Sequence, residues 1–221
     1  MRKIIEELIS KDAIVEYRKQ SKPFFSKIFL VPKPDKSFRF ILNLKNLNRF
    51  ISAEHFKLED YRTLNKLISP GCFLATLDLK DAYYMVPIKE SNKKYLCFTF
   101  NNKSYAFNVL PFGLSSAPYV FTKIMKPAMA HLRRLGFLSV VYLDDWAIIG
   151  NTKHANQKNI DTTIKLLENL GFIINFEKSQ LEPKQSIKFL GFVFNSGDMS
   201  ISLPEDKARK VKDIISRTFS A

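Results

Sequence analysis

Three carboxylates carry the strongest chemical signal in this chain: Asp78 and the adjacent pair Asp144 and Asp145. The pair interrupts an apolar run, with Phe137-Leu138-Ser139-Val140-Val141-Tyr142-Leu143 before it and Trp146-Ala147-Ile148-Ile149-Gly150 after it. The β-branched and aromatic residues on both sides predict two short strands, with the acids at the tip of the hairpin that joins them. Like charges held between segments that bury themselves are costly unless a cation neutralises them. Asp78 ends a third apolar run, Phe73-Leu74-Ala75-Thr76-Leu77. If that strand pairs beside the hairpin, three hard oxygen ligands converge with no His or Cys among them, a donor set suited to Mg²⁺ or Mn²⁺ rather than zinc. Two such ions about 4 Å apart would support an in-line phosphoryl transfer, activating a 3′-hydroxyl and stabilising a leaving pyrophosphate.

The elements that must position these acids can be read from periodicity. Residues 3–19 predict an amphipathic helix, with Ile4, Leu8 and Val15 near one face. Ser26 to Val31 and Phe38 to Leu42 predict strands across the turn chemistry of Pro32-Lys33-Pro34-Asp35-Lys36-Ser37, a basic hairpin carrying Lys33, Lys36 and Arg39. A helix is expected over 60–68, then the Asp78 strand, then a helical turn from Asp81 to Tyr84. Tyr95 to Phe100 and Lys103 to Asn108 alternate as a hairpin across Asn101-Asn102. Leu110 to Leu114 reads as a loop. A helix from Ser115 or Ser116 to about Arg134 follows, with Pro127 expected to kink it. Residues 154–170 predict a helix with Ile160, Ile164, Leu167 and Leu170 on one face and Gly171 at its end. Strands are expected near 172–175, 187–194 and 199–203, and a last helix after Pro204. Strands alternating with helices imply an α/β sandwich, helices packed on one face of an antiparallel sheet.

The chain has 221 residues, enough for one domain or one and a half. An apolar fraction of 46% excludes a chain disordered by composition. Lys and Arg outnumber Asp and Glu by 35 to 21, a net charge of +14, and such a surface attracts polyanions, nucleic acid above all. Two cysteines, Cys72 and Cys97, both lie in apolar runs and predict reduced core residues rather than a disulfide framework or zinc site. The N-terminus carries acids too early for a signal peptide, and no apolar stretch is long enough to span a bilayer. An intracellular protein is expected, cytoplasmic or nuclear. His55, His131 and His154 are scattered and read as surface or packing residues.

The motifs together resemble the fingers and palm of a reverse transcriptase. Leu77-Asp78-Leu79-Lys80-Asp81-Ala82-Tyr83 is similar to that family's first catalytic motif. Leu110-Pro111-Phe112-Gly113-Leu114-Ser115-Ser116-Ala117-Pro118 is similar to its template-and-nucleotide loop, and Tyr142-Leu143-Asp144-Asp145 to its aspartate hairpin. Phe189-Leu190-Gly191 resembles the primer grip. The resemblance covers about residues 22–203, and four motifs in order are specific where any one would be weak. Phe112 in the loop and Trp146 after the acid pair resemble DIRS-type tyrosine-recombinase retrotransposons most, with gypsy-like or pararetroviral polymerases next.

The resemblance implies an α+β fold: right-hand polymerase fingers and palm, an antiparallel palm sheet with helices on one face, and a truncated thumb. It divides the chain into an N-terminal helix (1–21), a reverse transcriptase domain (22–203, with fingers about 22–72 and 88–110 and palm the rest) and the start of a thumb (204–221). It implies RNA-directed DNA synthesis: nucleotidyl transfer from a dNTP to a primer 3′-hydroxyl on an RNA or DNA template, using two Mg²⁺ or Mn²⁺ ions. Asp78 and Asp144 would ligate both ions, helped by the Leu79 carbonyl, with Asp145 completing or supporting the site. Tyr83 would be the steric gate against a 2′-hydroxyl. Lys33 and Arg39 would grip the triphosphate. The backbone of Asp81 and Ala82 would face the nucleotide phosphates, while the Asp81 side chain would serve only structure. Gly113 would let the backbone pass close to the templating pair. Phe112 stands where retroviral enzymes have Gln. Lys178 matches a lysine proposed to protonate the leaving pyrophosphate.

Two departures stand out. Asn43 and Lys45 occupy positions that are usually Asp and Arg, removing an ion pair in the fingers. Little of a thumb follows the primer grip, so weak duplex binding and low processivity are expected unless further polyprotein domains (thumb, RNase H) or a partner subunit contribute. Two other readings compete: a nucleic-acid-binding remnant that no longer polymerises, and an RNA-dependent RNA polymerase, against which Tyr83 speaks. A plain basic scaffold is the remaining alternative.

Overall fold

A computed structural model of the protein describes residues 1–18, 22–32, 38–52 and 54–219. The first half contains helix α1 (Arg2–Ser10), strands β1 (Ile14–Glu16), β2 (Ile28–Pro32) and β3 (Phe38–Leu42), helices α2 (Lys45–Asn48) and α3 (Tyr61–Leu67), and strand β4 (Phe73–Lys80). A 3-10 turn (Ala82–Met85), helix α4 (Glu90–Lys93), strands β5 (Cys97–Phe100) and β6 (Lys103–Phe107) and helix α5 (Ala117–Arg134) follow. Next come strands β7 (Leu138–Tyr142) and β8 (Asp145–Gly150), helix α6 (Lys153–Asn169), and strands β9 (Ile173–Ile174), β10 (Gln180–Lys184), β11 (Ser186–Phe189), β12 (Phe192–Asn195) and β13 (Ser200–Ser202). Helix α7 (Glu205–Phe219) is the last element. The named strands pair antiparallel, so the fold class is α+β. Among the described residues no helix is long and apolar enough to cross a membrane.

Two compact units emerge, residues 1–56 with 81–124, and residues 57–80 with 125–221. Residues 57–72 go with the second unit because Leu64 of α3 and Cys72 are buried with Leu74, Val140 and Ile149 in its core. Residues 81–87 go with the first, where Val86 accepts a hydrogen bond from Leu110 N–H and Ile88 N–H donates to Asn108.

In the first unit β6 is the centre of a three-stranded sheet, β1-β6-β5, and β2 and β3 form a separate hairpin. Ile5, Leu8, Ile14, Phe40, Leu42, Phe98 and Phe107 share one core. The helix expected over 3–19 ends at Ser10. Asp12 turns the chain at φ +52°, and Ile14, Val15 and Glu16 pair with Phe107, Ala106 and Tyr105. A distant strand therefore decides the conformation of this segment, and Val15 lies on a strand rather than on a helix face. Asn101 and Asn102 both adopt positive φ (48° and 59°), the mirror-image turn that suits a two-residue hairpin.

In the second unit β4 is an inner strand of the sheet ordered β10-β4-β8-β7, and β9 also pairs with it. Helix α6 buries Ile160 and Leu167 against this sheet, as its pattern predicts, but Leu170 is 55% exposed. The helix also buries polar residues: the Asn156 amide donates to the Phe73 and Ile148 carbonyls, and Asn159 to those of Leu138 and Ile149. The single strand expected over 187–194 is a hairpin, β11 and β12, turning at Leu190 (φ +47°) and Gly191 (φ +81°). Strand β10, absent from the sequence reading, covers part of the free side of β4.

Candidate active site

The register of β4 and β8 sets Asp78 directly opposite Asp145. Asp145 is also opposite Tyr142 on β7, so Leu143 and Asp144 form the two-residue turn of the hairpin. Leu143 sits at φ +57°, a left-handed conformation that a branched side chain adopts only when its surroundings impose it. The turn is pinned by Leu79 N–H, which donates to the Asp144 carbonyl at 3.2 Å. Beneath it Trp146 is fully buried. Asp78, Asp144 and Asp145 are each half-buried.

The acids act on one another. Burial, then the charges of Asp144 and Asp78, push the Asp145 carboxyl up from its ordinary 3.8 to about 6, while Lys178 pulls it back. A bound cation would relieve this stress, and the donors are all hard oxygens, so the chemistry of the site fits a divalent ion. The fit is one of charge and donor type, since among the described residues no three carboxylate, thiol or imidazole groups already form a metal cage. A cavity of about 230 Å³ opens beside the acids, lined by Asp78, Asp145 and Trp146 and by Lys178, Lys188, Phe189 and Leu190. The Phe189-Leu190-Gly191 triplet is thus the tip of the β11–β12 hairpin, with Phe189 buried and Lys178 exposed. A Cβ on Gly191 would fall 2.5 Å from Lys207 Nζ.

The other group of expected site residues belongs to the first unit. Asp81 turns the chain at φ +51° and its carboxylate pairs with Lys11 at 2.9 Å. Ala82 and Tyr83 are buried. The Tyr83 ring packs against Phe112 and Phe121, with centroids 5.0 and 5.2 Å away. Burial pushes the neighbouring Tyr84 hydroxyl up to about 12, with the charge of Asp81 adding to the effect. Gly113 has φ +93°, and a Cβ there would meet the Leu42 carbonyl at 3.4 Å. Asn48 holds this loop from both sides: its amide donates to the Gly113 carbonyl (2.9 Å) and its oxygen accepts from Ser115 N–H (3.0 Å). Arg39 is exposed on β3, opposite Val31. Lys33 and Lys36 lie outside the described residues.

Residues 31–194 match the family described as reverse transcriptase (RNA-dependent DNA polymerase). The chain belongs to this family. Among its relatives are the retrovirus-related Pol polyproteins from the Drosophila melanogaster transposons opus, 26% identical over 95% of the chain, and gypsy, 28% identical over 92%. The chain spans only 21% and 19% of the lengths of those two polyproteins. The foamy viral protease-reverse transcriptase, solved in complex with double-stranded DNA, shares the fold: TM-score 0.81 and 22% identity, covering 96% of this chain and 36% of that one. The chain is thus a retroelement reverse transcriptase relative with the fingers-and-palm fold.

Within this reverse transcriptase fold the sequence reading missed three polar residues. Asn48, Asn175 and Ser179 touch the motif residues directly, the last two through Asp78. Asn48 lies in the stretch where Asn43 and Lys45 depart from the family pattern. Nothing in local spacing distinguishes it from Asn46 beside it, because its partners are 65 and 67 residues away.

Proposed function

We propose that this chain is the fingers and palm of an RNA-directed DNA polymerase, a nucleotidyltransferase that adds dNTPs to a primer 3′-hydroxyl. The observation that carries the reading is the pairing of Asp78 with Asp145 across β4 and β8, with Asp144 in the adjoining turn. Asp78, Asp144 and Asp145, with the Leu79 carbonyl, would hold two Mg²⁺ or Mn²⁺ ions. When bound, such ions supply positive charge to the attacking and leaving oxygens of an in-line displacement.

The chain's own groups do the rest. Lys178, beside the acids, is placed by this reading to give a proton to the departing pyrophosphate. Arg39 and Lys33 hold the triphosphate, Arg39 through a two-pronged contact and Lys33 as a point charge. The amides of Asp81 and Ala82 face the phosphates, and the Lys11 ion pair keeps the Asp81 carboxylate from opposing them. Tyr83, backed by Phe112 and Phe121, is a rigid wall against a 2′-hydroxyl. Gly113 admits the templating pair, and Phe189, Leu190 and Gly191 hold the primer end.

The net charge of +14 suits a template–primer duplex held through its phosphates. Because the chain spans about a fifth of its relatives, we read it as one part of a longer polyprotein, other parts of which contribute further duplex contacts. Phe112 and Trp146 favour a DIRS-type element. Extension of a DNA primer on an RNA template tests the reading: incorporation of dNTPs in preference to NTPs supports it. Preference for NTPs would favour an RNA polymerase, and duplex binding without any incorporation would favour a non-polymerising remnant.

A further inference from the structure

We propose that Asn175 and Ser179 are positioning residues that hold the Asp78 carboxylate in the orientation a metal ion requires. The proposal rests on the polymerase reading above. Its basis is a gap in the sheet. On one side β4 is covered continuously by β8, through Asp78 and Asp145. On its other side β10 pairs at Thr76, through Gln180, and β9 pairs at Leu79, through Ile174. Asp78 falls between the two, where neither strand reaches.

Residues 175–179 fill that gap. Asn175 N–H donates to the Asp78 carbonyl at 2.9 Å, and the Ser179 hydroxyl oxygen accepts from Asp78 N–H at 3.0 Å. The Asn175 side-chain amide then donates to Asp78 Oδ1 at 2.7 Å. One five-residue turn therefore holds the backbone donor, the backbone acceptor and one carboxylate oxygen of the same residue. The turn closes on itself: the Ser179 hydroxyl and the Lys178 and Ser179 amides all donate to the Asn175 carbonyl, at 2.7, 3.2 and 3.0 Å.

A continued strand would satisfy the backbone of Asp78 equally well and leave its side chain alone. The interruption instead adds a short, charge-assisted bond to Oδ1, which fixes the carboxylate plane and leaves Oδ2 for other partners. The donor is a neutral amide, so the negative charge that attracts a cation is kept. A lysine in its place would cancel that charge. Outer partners of this kind orient ligating carboxylates, and losing one weakens metal binding roughly 10–100-fold. Lys178 belongs to the same turn, through its amide, and its charge acts on Asp145.

The test uses the full chain with Asn175→Ala, Ser179→Ala and Ser179→Thr, beside wild type and Asp144→Ala. Binding of Mn²⁺ alone is read by electron paramagnetic resonance, and unfolding is followed separately in chelator. Asn175→Ala and Ser179→Ala are expected to weaken Mn²⁺ binding by about 10–100-fold. They should raise the Mg²⁺ needed for half-maximal primer extension in parallel, with the KM for dNTP little changed at saturating metal. Ser179→Thr keeps the hydroxyl and should stay near wild type. If Asn175→Ala does not fold, Ser179→Ala carries the same comparison. Wild-type binding that is lost in Asp144→Ala but intact in a folded Asn175→Ala would overturn the positioning role alone. Equal Mn²⁺ binding by wild type and Asp144→Ala would overturn the metal site, and the positioning role with it.

Discussion

Asp78 and Asp145 face each other across two neighbouring strands, and the charges of Asp78 and Asp144 both act on Asp145. Three acids are thereby gathered at the edge of a core that includes the fully buried Trp146. An arrangement that costs stability in the metal-free chain is the signature of a site built for something else.

That cost is measurable. Asp145→Asn removes one charge from the cluster while keeping the side chain's shape. In chelator near pH 7, its urea midpoint should lie above that of wild type, because the variant removes a charge that burial and the neighbouring acids oppose. Primer extension by the same variant should fall at least about 100-fold, as for loss of other groups that act on the reacting charge. A variant less stable than wild type in chelator would contradict the account.

The pH dependence follows from the same group. Its folded pKa, about 6, lies above the ordinary 3.8. The folded chain therefore binds the proton more tightly than the unfolded one. Its contribution to stability is full below the unfolded value and is lost as pH rises through about 6. Metal binding runs the other way, because the proton competes for the same oxygens. Mn²⁺ affinity should rise between pH 5 and pH 7 in wild type, and the stability slope over that window should flatten in Asp145→Asn.

Gly113 combines φ +93° with a carbonyl 3.4 Å from where a Cβ would stand. Gly113→Ala should destabilise the chain by about 1–2 kcal/mol, from the left-handed conformation alone. Asn48→Ala, which removes both bonds that hold this loop, should cost about 1 kcal/mol or somewhat more. Urea unfolding checks both.

Asn156 is fully buried and its amide ties α6 to two sheet carbonyls. Asn156→Ala should cost about 1–3 kcal/mol, since both carbonyls are left without that donor. A Cβ on Gly150 would collide with the Asn156 backbone, so Gly150→Ala should be at least as damaging. Thermal unfolding of the two variants reads this directly.

Much of this was legible in the residues. The hairpins at Asn101-Asn102 and at the acid pair depend on local turn chemistry and alternation, and both form where they were expected. Helix α3 carries its own start signal, as the Asp60 side chain accepts from the Arg62 and Thr63 amides. What was hidden depends on distant partners. Residues 14–16 become a strand only because β6 is there to pair with them. The chain turns at Leu190, although leucine rarely takes positive φ, because Gly191 and the Phe189–Phe192 pair complete a hairpin around it. Asn156 and Asn159 carried no signal of their own in the sequence, yet each is buried with its amide on sheet carbonyls. At the candidate site the acids were visible as a pattern. Asn175 and Ser179 were not, since their bonds to Asp78 span 97 and 101 residues.

The most direct measurement is primer extension on an RNA template with dNTPs and Mg²⁺, comparing wild type with Asp144→Ala at matched folding and duplex binding. The account predicts incorporation by wild type that disappears in the variant. Incorporation by Asp144→Ala at the wild-type rate would contradict it.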